Sequence, residues 1–390
     1  MSQLDKRVLE ALSEIDKINP YATFLNESTI SNVEEWIDTG SMPLNAIISG
    51  SLYGGIPRNR VTLVAGESMT GKTFFLLQIL ARAQKQGLIP VIFDPEFAID
   101  KKSAENLGLD PAGVKYVPSY SIEETRNSLY KFLTKAKELG IENKFIVAIE
   151  LGNLENQLQI SRMEAPLKSG ESNTSMDMGT RARAMGSLLK TCTILSGYTK
   201  TTFLLTNHIY DDPSATYESI IKTMPGGKKV IYLPSVTVQL ARKPEKGDEG
   251  KTMDATLAVG QRNYPGVILR ALTVKNRFIQ QYIQTEMYLS FTTGLDKHYG
   301  LLDLAVGFGS VIQGGATYSL PDGTKLGYYS KWRKDEEVWA KILPDLEQKI
   351  KVGWAYGKKS DVEEEMPDES ESLPSNVGKK VKVELPDDEK

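Results

Sequence analysis

Apolar positions recur along the chain in two rhythms. Leu4, Val8, Leu12 and Ile15 keep a near-helical spacing that ends before Pro20, so residues 1–40 read as a helix followed by a linker. From residue 43 to about 290, short apolar runs alternate with longer amphipathic stretches. RNRVTLVAG, LIPVIFD, KFIVAI and TTFLLTN read as strands. GKTFFLLQILARAQKQ, SIEETRNSLYKFLTKAKEL and TRARAMGSLLKTCTILSGY read as helices among them. Such alternation predicts an α/β fold with a mostly parallel, twisted sheet flanked by helices on both faces. SVTVQLAR, VILRALTVKN and QQYIQTEMYLSF lack intervening helices and extend the sheet by antiparallel pairing. Residues 296–356 read as a smaller helical unit with a Gly-rich turn. The chain therefore divides into an N-terminal helix and linker (1–40), a core (41–295), a small C-terminal domain (296–357) and a tail (358–390).

Two long polar stretches, 153–178 and 209–229, interrupt this order. Both follow strand C-terminal ends, the edge at which open α/β sheets bind ligands. No apolar run approaches the roughly 20 residues that span a bilayer, and the charged N-terminus has no signal-peptide core. A single cysteine, Cys192, excludes an intrachain disulfide and a Cys-based zinc site; two histidines exclude a His-rich one. These features favour a reducing, cytoplasmic setting without a membrane partner. Residues 361–390 carry 11 acidic side chains against 4 lysines, while the whole chain is only −3, so the body is mildly basic. That asymmetry suits a body that touches polyanions and a solvated tail, or a tail that serves solubility alone.

GESMTGKT, residues 66–73, completes the G-x-x-x-x-G-K-[ST] phosphate-loop pattern between a strand and an apolar helix. Gly66 and Gly71 let the backbone wrap a phosphate, with Glu67, Ser68, Met69 and Thr70 forming the loop between them. Lys72 reaches the β- and γ-phosphates, and the Thr73 hydroxyl is a magnesium ligand. ATP and Mg2+ are the expected cofactors. The next strand ends in Asp94 and Glu96, either a carboxylate that polarises a water beside the nucleotide or a solvated strand-end acid. Glu150, at the tip of KFIVAIE, is likewise either a magnesium carboxylate or a surface residue.

These residues resemble the RecA-type recombinase family. TGSMPLNAIISGSLYGGIPRNRVTLVAGESMTGKT is similar to the opening of that family's core, and FDPEFAID to its second strand. DMGTRARAMGSLLK is similar to the stretch closing its first DNA-binding loop. LLTNHIY and MPGGKKVIYLPSVTVQLAR resemble the opening and close of the second, and LTVKNR resembles paired basic residues that reach a neighbour's ATP. ELGNL, EFAI, TNHIY, GLLDLAVGFG and the acidic tail resemble the tailed-phage, UvsX-type members more narrowly. The likeness covers about residues 39–310.

The resemblance implies a RecA-like core (41–295) with two DNA-binding loops, an N-terminal oligomerisation helix, and a DNA-dependent ATPase that performs strand exchange. Glu96 would be the general base, Lys72 and Thr73 the phosphate and metal ligands, and Asp100 an adenine contact, with the family tyrosine nearby replaced by Ser103. His208 stands at the polar switch that senses the γ-phosphate. Lys275 and Arg277 would reach the next subunit's ATP; by themselves they read equally as a solvated strand face. Ungapped from LGNL, the family's metal Asp falls on Ile149 and its Ser on Glu150, so Glu150 is expected as a displaced carboxylate bound through water.

DNA contacts are expected at Arg162, Lys168, Gly179, Arg181 and Arg183 around the first loop and at Lys222, Gly226, Gly227, Lys228 and Lys229 in the second. Met163, Met176, Met178 and Met224 are candidate base wedges, each read individually as core packing. The implied partners are single- and double-stranded DNA, further copies of the chain in a head-to-tail filament, a recombination mediator and a single-stranded-DNA-binding protein, in the host cytoplasm if phage-encoded. Two other functions remain open from sequence: a ring helicase motor on the same fold, and a non-hydrolysing, ATP-switched recombination accessory protein.

Overall fold

The computed structural model describes residues 5–28, 30, 32–164, 178–210, 221–243 and 266–357. Helix α1 (Lys6–Ile18) starts at an Asp5 cap, and none of its residues is buried. β1 (Trp36–Ile37) pairs with β2 (Ile56–Pro57) around α2 (Met42–Ser49). The core then alternates β3 (Val61–Gly66), α3 (Lys72–Lys85), β4 (Ile89–Asp94), α4 (Lys101–Asn106), β5 (Lys115–Pro118) and α5 (Ile122–Glu138). It continues through β6 (Phe145–Glu150), α6 (Gln157–Glu164), α7 (Met178–Tyr198), β7 (Thr202–Asn207) and α8 (Lys229–Tyr232). β8 (Val236–Arg242), β9 (Gly266–Asn276), β10 (Gln284–Ser290) and β11 (Gly294–Leu295) complete the sheet.

Among the described residues the main sheet has nine strands in the order β11-β10-β9-β8-β3-β7-β6-β4-β5. β8, β3, β7, β6, β4 and β5 run parallel, and β9, β10 and β11 add antiparallel edges, as the sequence predicts. The period-two alternation of the strands builds two cores. Val64, Ile92, Ala148 and Leu204 face α2 and α3. Leu63, Phe93, Ile149 and Leu205 face α5 and α7. A Ser121 cap bonded to the Glu124 amide starts α5, with acids in its first turn and lysines in its last.

Two expectations need correction. Residues 157–164 of the first polar stretch are helical, so that connection is not continuous loop. The C-terminal segment is not purely helical: between α9 (Leu301–Gly307) and α10 (Tyr329–Trp332) lies a three-stranded antiparallel meander, β12 (Ile312–Gly314), β13 (Thr317–Ser319) and β14 (Lys325–Gly327). Its strands are mostly exposed and three residues long, too short to show alternation. α11 (Glu336–Gly353) follows, and Trp332, Trp339, Leu301 and Ala305 pack with Met42 and Ala46 of α2. The described residues through Tyr356 form one compact unit, and the acidic tail lies outside the described residues.

Candidate nucleotide and nucleic-acid site

The loop between β3 and α3 has the shape its sequence requires. Gly71 sits in the left-handed region at φ 74°, and a Cβ there would come 2.6 Å from Leu289 Cδ2. A Cβ on Gly66 would lie 2.6 Å from Thr70 Oγ1. Thr70 is buried and donates to the Glu67 carbonyl at 2.8 Å. Met69 takes φ 66° with its side chain exposed, and Ser68 lies beside it in the turn. The Lys72 amine donates to the carbonyls of Gly66 (2.9 Å) and Glu67 (2.8 Å). Burial lowers its pKa, and the nearby carboxylates of Glu150, Glu96 and Glu67 pull the other way.

Thr73, Glu96 and Glu150 line one pocket, together with Asp94 and Thr206. Oxygen donors at a helix N-terminus beside a glycine cradle and a lysine are the donor set that a magnesium-bound triphosphate needs. The residues present therefore fit ATP and Mg2+.

Ile149 and Glu150 take opposite faces at the tip of β6. Ile149 is fully buried in the core under α5 and α7, facing away from the phosphate loop. Glu150 lies on the same strand face as Ala148, which packs toward α3. Its carboxylate accepts the amides of Gly152 (2.9 Å) and Asn153 (3.0 Å). Burial raises its pKa, and those two hydrogen bonds pull the other way. Glu150 is thus an organised group inside the pocket, not a solvated strand end.

Glu96 accepts from the Asn153 side-chain amide. His208, just past β7, brings Nε2 to 3.6 Å from Glu96 Oε1 and 4.0 Å from Glu150 Oε1. The backbone that carries Glu96 is held by Asp94. That carboxylate is 3% exposed and accepts the amides of Glu96 (3.0 Å), Ala98 (3.0 Å) and Ile99 (3.2 Å) and the Tyr116 hydroxyl (3.0 Å). Burial and this bond to Asp94 push the Tyr116 hydroxyl up to about 12. Asn153 and Tyr116 carry no role in the sequence reading, and Asp94 enters it only beside Glu96, as a water-polarising carboxylate or a solvated strand-end acid. Asp94 had a signal, as the acid two residues before Glu96; the other two had none. Asp100 caps α4, accepting from Ser103 N (3.0 Å) and Oγ (2.5 Å); those bonds lower its pKa, and they already engage the carboxylate expected at adenine.

Lys275 and Arg277 are on the opposite edge of the sheet from the phosphate loop. Lys275 pairs with Thr237 near the start of β8, whereas Gly66 pairs with Leu240 farther along that strand. The Lys275 amine donates to Pro234 O at 2.6 Å and to Tyr232 O. Burial beside Arg277 lowers its pKa to about 8. Arg60 is close enough for the Arg277 charge to act on it as well.

The two expected DNA segments leave the adjacent C-terminal ends of β6 and β7. Their flanks converge on α7: a Cβ on Gly227 would lie 3.3 Å from Ala182, and one on Gly186 would lie 2.9 Å from Lys229 Cδ. Gly226 (φ 99°) and Gly227 (φ 82°) form the turn before Lys228 and α8. Gly179 and Arg183 lie in the first turns of α7, and Arg162 lies in the last turn of α6. Arg181 is drawn inward, donating to Gly152 O (2.7 Å) and Leu154 O (3.1 Å) and pairing with Glu155. The Lys222 amide donates to Gln239 Oε1 at 2.9 Å. Met224 is a core residue at 2% exposure, which removes it as a base wedge, whereas Met163 is exposed. Lys168 and Met176, and the Met178 side chain, lie outside the described residues.

Residues 6–120 match the RecA N-terminal domain family model. The RecA proteins of Nitratiruptor sp. and of Streptomyces ambofaciens are each 28% identical to this chain over 87% of its length, covering 90% and 82% of those proteins. The RecA protein of Clavibacter michiganensis subsp. michiganensis is 27% identical over 87% of this chain and 85% of its own. With a phosphate loop on a mostly parallel sheet that carries antiparallel edge strands, and likeness along nearly the whole described chain, the protein is similar to the RecA-type recombinases.

Proposed function

We propose that the protein is a DNA-dependent ATPase that polymerises head-to-tail on single-stranded DNA and carries out homologous pairing and strand exchange. The observation that carries this reading is the pairing of an ATP-competent cradle with two cations that cannot serve it. Lys275 and Arg277 lie toward the opposite strand ends from the phosphate loop of the same chain, which supports a role toward the triphosphate of another copy. Cations delivered across a subunit interface neutralise charge that develops during phosphoryl transfer and make hydrolysis depend on assembly.

In this reading Gly66–Thr73 grips the triphosphate, and Thr73 with Glu150 would hold Mg2+, which would supply positive charge against the phosphates. Glu96 takes the proton of the attacking water, and Glu150 would be the metal's carboxylate. His208 reports the γ-phosphate to the second loop, because it follows β7 directly and opens that segment. Arg162, Lys168, Arg183, Lys222, Lys228 and Lys229 track DNA phosphates, while base pairing supplies the sequence test. Arg181 shapes the base of the first loop.

The finer assignment is a UvsX-type recombinase of a tailed phage. It would act in the host cytoplasm in recombination, repair and recombination-dependent replication, loaded by a mediator in competition with a single-stranded-DNA-binding protein. The test is electron microscopy with single-stranded DNA and ATP, alongside a strand-exchange assay. Helical filaments and joint molecules are expected. Closed rings that unwind forked duplexes would replace this reading with a helicase, and ATP binding without turnover would replace it with an accessory protein.

A further inference from the structure

Glu96, Glu150 and His208 come from three separate segments, yet one ligand-capable atom of each lies within 4.8 Å of the other two. His208 Nε2 lies 3.6 Å from Glu96 Oε1 and 4.0 Å from Glu150 Oε1. Three ligands about 2.0–2.2 Å from a tetrahedral zinc ion stand roughly 3.3–3.6 Å from one another. Small side-chain adjustments therefore bring all three to ligating distance of one ion. We propose that these residues form a site for a divalent transition-metal ion of the zinc type, beside the magnesium position offered by Thr73 and sharing Glu150 with it.

The surroundings are built in the manner of a metal site. Ligating carboxylates are normally oriented by hydrogen bonds of their own. Here one residue, Asn153, orients both: its backbone amide donates to Glu150 at 3.0 Å and its side-chain amide to Glu96. The Gly152 amide fixes the Glu150 oxygen that faces the imidazole. Gly152 also supplies the room, since a Cβ there would lie 2.3 Å from His208 Cδ2 and 2.8 Å from Glu150 Oε1. A neutral imidazole with two carboxylates suits zinc in charge and softness. Magnesium, an oxygen-seeking ion that loses its water reluctantly, is not expected to use the imidazole. Three protein ligands leave a fourth position of a tetrahedral ion for water or another ligand.

Binding requires nothing of the recombinase assignment. Its consequence for turnover rests on Glu96 as general base: a bound ion occupies that carboxylate, so micromolar Zn2+ slows ATP hydrolysis in excess Mg2+.

The test uses the full-length, metal-stripped, nucleotide-free protein. Titration with Co2+, read by its visible d–d absorption, is expected to saturate at one ion per chain, and Zn2+ is expected to displace it. His208→Gln abolishes the band, and Asn153→Ala weakens binding on the order of 10-fold. Circular dichroism checks that both variants are folded. A band that survives His208→Gln, or no stoichiometric band in the wild type, overturns the site. Zn2+ inhibition that is undiminished in His208→Gln overturns its link to turnover. Absence of ATPase activity with Mg2+ alone would instead count against the general-base reading and leave the Co2+ result standing.

Discussion

Replacing Asp94 by Asn tests whether the Glu96 loop is held in place for catalysis. Asp94 has two acceptor oxygens facing four donors, with Oδ2 taking the Ala98 and Ile99 amides and the Tyr116 hydroxyl and Oδ1 taking the Glu96 amide. An asparagine keeps one acceptor. With its oxygen on the three-donor side, its NH2 meets the Glu96 N–H donor to donor. One buried amide then lacks a partner, at about 1–3 kcal/mol, and the remaining bonds lose charge assistance, roughly half their strength. Phe97 adds to the need for restraint, because its φ of 55° is a strained value for an aromatic residue, costing on the order of 1 kcal/mol.

A local loss of about 2–4 kcal/mol frees the backbone that aims the Glu96 carboxylate. A misplacement of about 1 Å can cost on the order of 100-fold in rate. Steady-state ATPase measurements with single-stranded DNA should show kcat reduced about 10- to 100-fold, with KM for ATP within about threefold, because the phosphate loop is untouched. Tyr116→Phe removes one of the four bonds and should cost only about fivefold. With its pKa at about 12 the hydroxyl keeps its proton throughout the assay range, so that loss should not vary with pH. A folded Asp94→Asn protein with wild-type kcat, or a larger defect in Tyr116→Phe, would refute the reasoning.

Lys275, with its pKa lowered to about 8, loses its charge as pH rises through that value, so DNA-dependent turnover should fall there. Lys275→Arg should move the fall upward, and an unchanged profile would mean that the charge is not used. Lys72→Ala and Arg277→Ala should each be inactive alone, yet about a quarter of interfaces in an equal random mixture pair a good cradle with good cations. Activity that does not reappear in co-assembled filaments would place Arg277 outside a neighbour's site. Deleting residues 361–390 removes seven more acids than lysines and should tighten DNA binding, most at low salt; equal affinity across a salt series leaves solubility as the tail's role. Gly152→Ala should displace His208 and lower turnover at least about 10-fold, whereas Gly307→Ala, with no atom within 4 Å of the added Cβ, should be silent.

The main strands were legible as short apolar runs, buried on both faces, set off against helices that each keep a polar side. Elements without such contrast were not. In α2, seven of eight residues are buried, so no amphipathic stripe marks it. β5 is a short, largely exposed edge strand, and the meander strands are shorter still. The phosphate loop was readable because its residues are contiguous. The acid cluster was not, because the His208 approach to Glu150 depends on strand register across 58 positions of chain.

That register also explains how the site tolerates its altered strand tip. Glu150 stands opposite Thr206, and the Leu151 amide donates to the Thr206 carbonyl at 2.8 Å. Just past the two strand ends lie Gly152 and His208, close enough that a Cβ on Gly152 would come 2.3 Å from His208 Cδ2. A histidine there needs more space than a straight side chain, and the absent Cβ of Gly152 provides it. A carboxylate at position 149 would point into the α5–α7 core, where Ile149 packs. A carboxylate at 150 points at the phosphate loop. The Ile–Glu pair, the glycine and the histidine are therefore one arrangement. Restoring an aspartate at position 149 alone should destabilise the fold by burying an unpaired charge, without supplying a metal ligand.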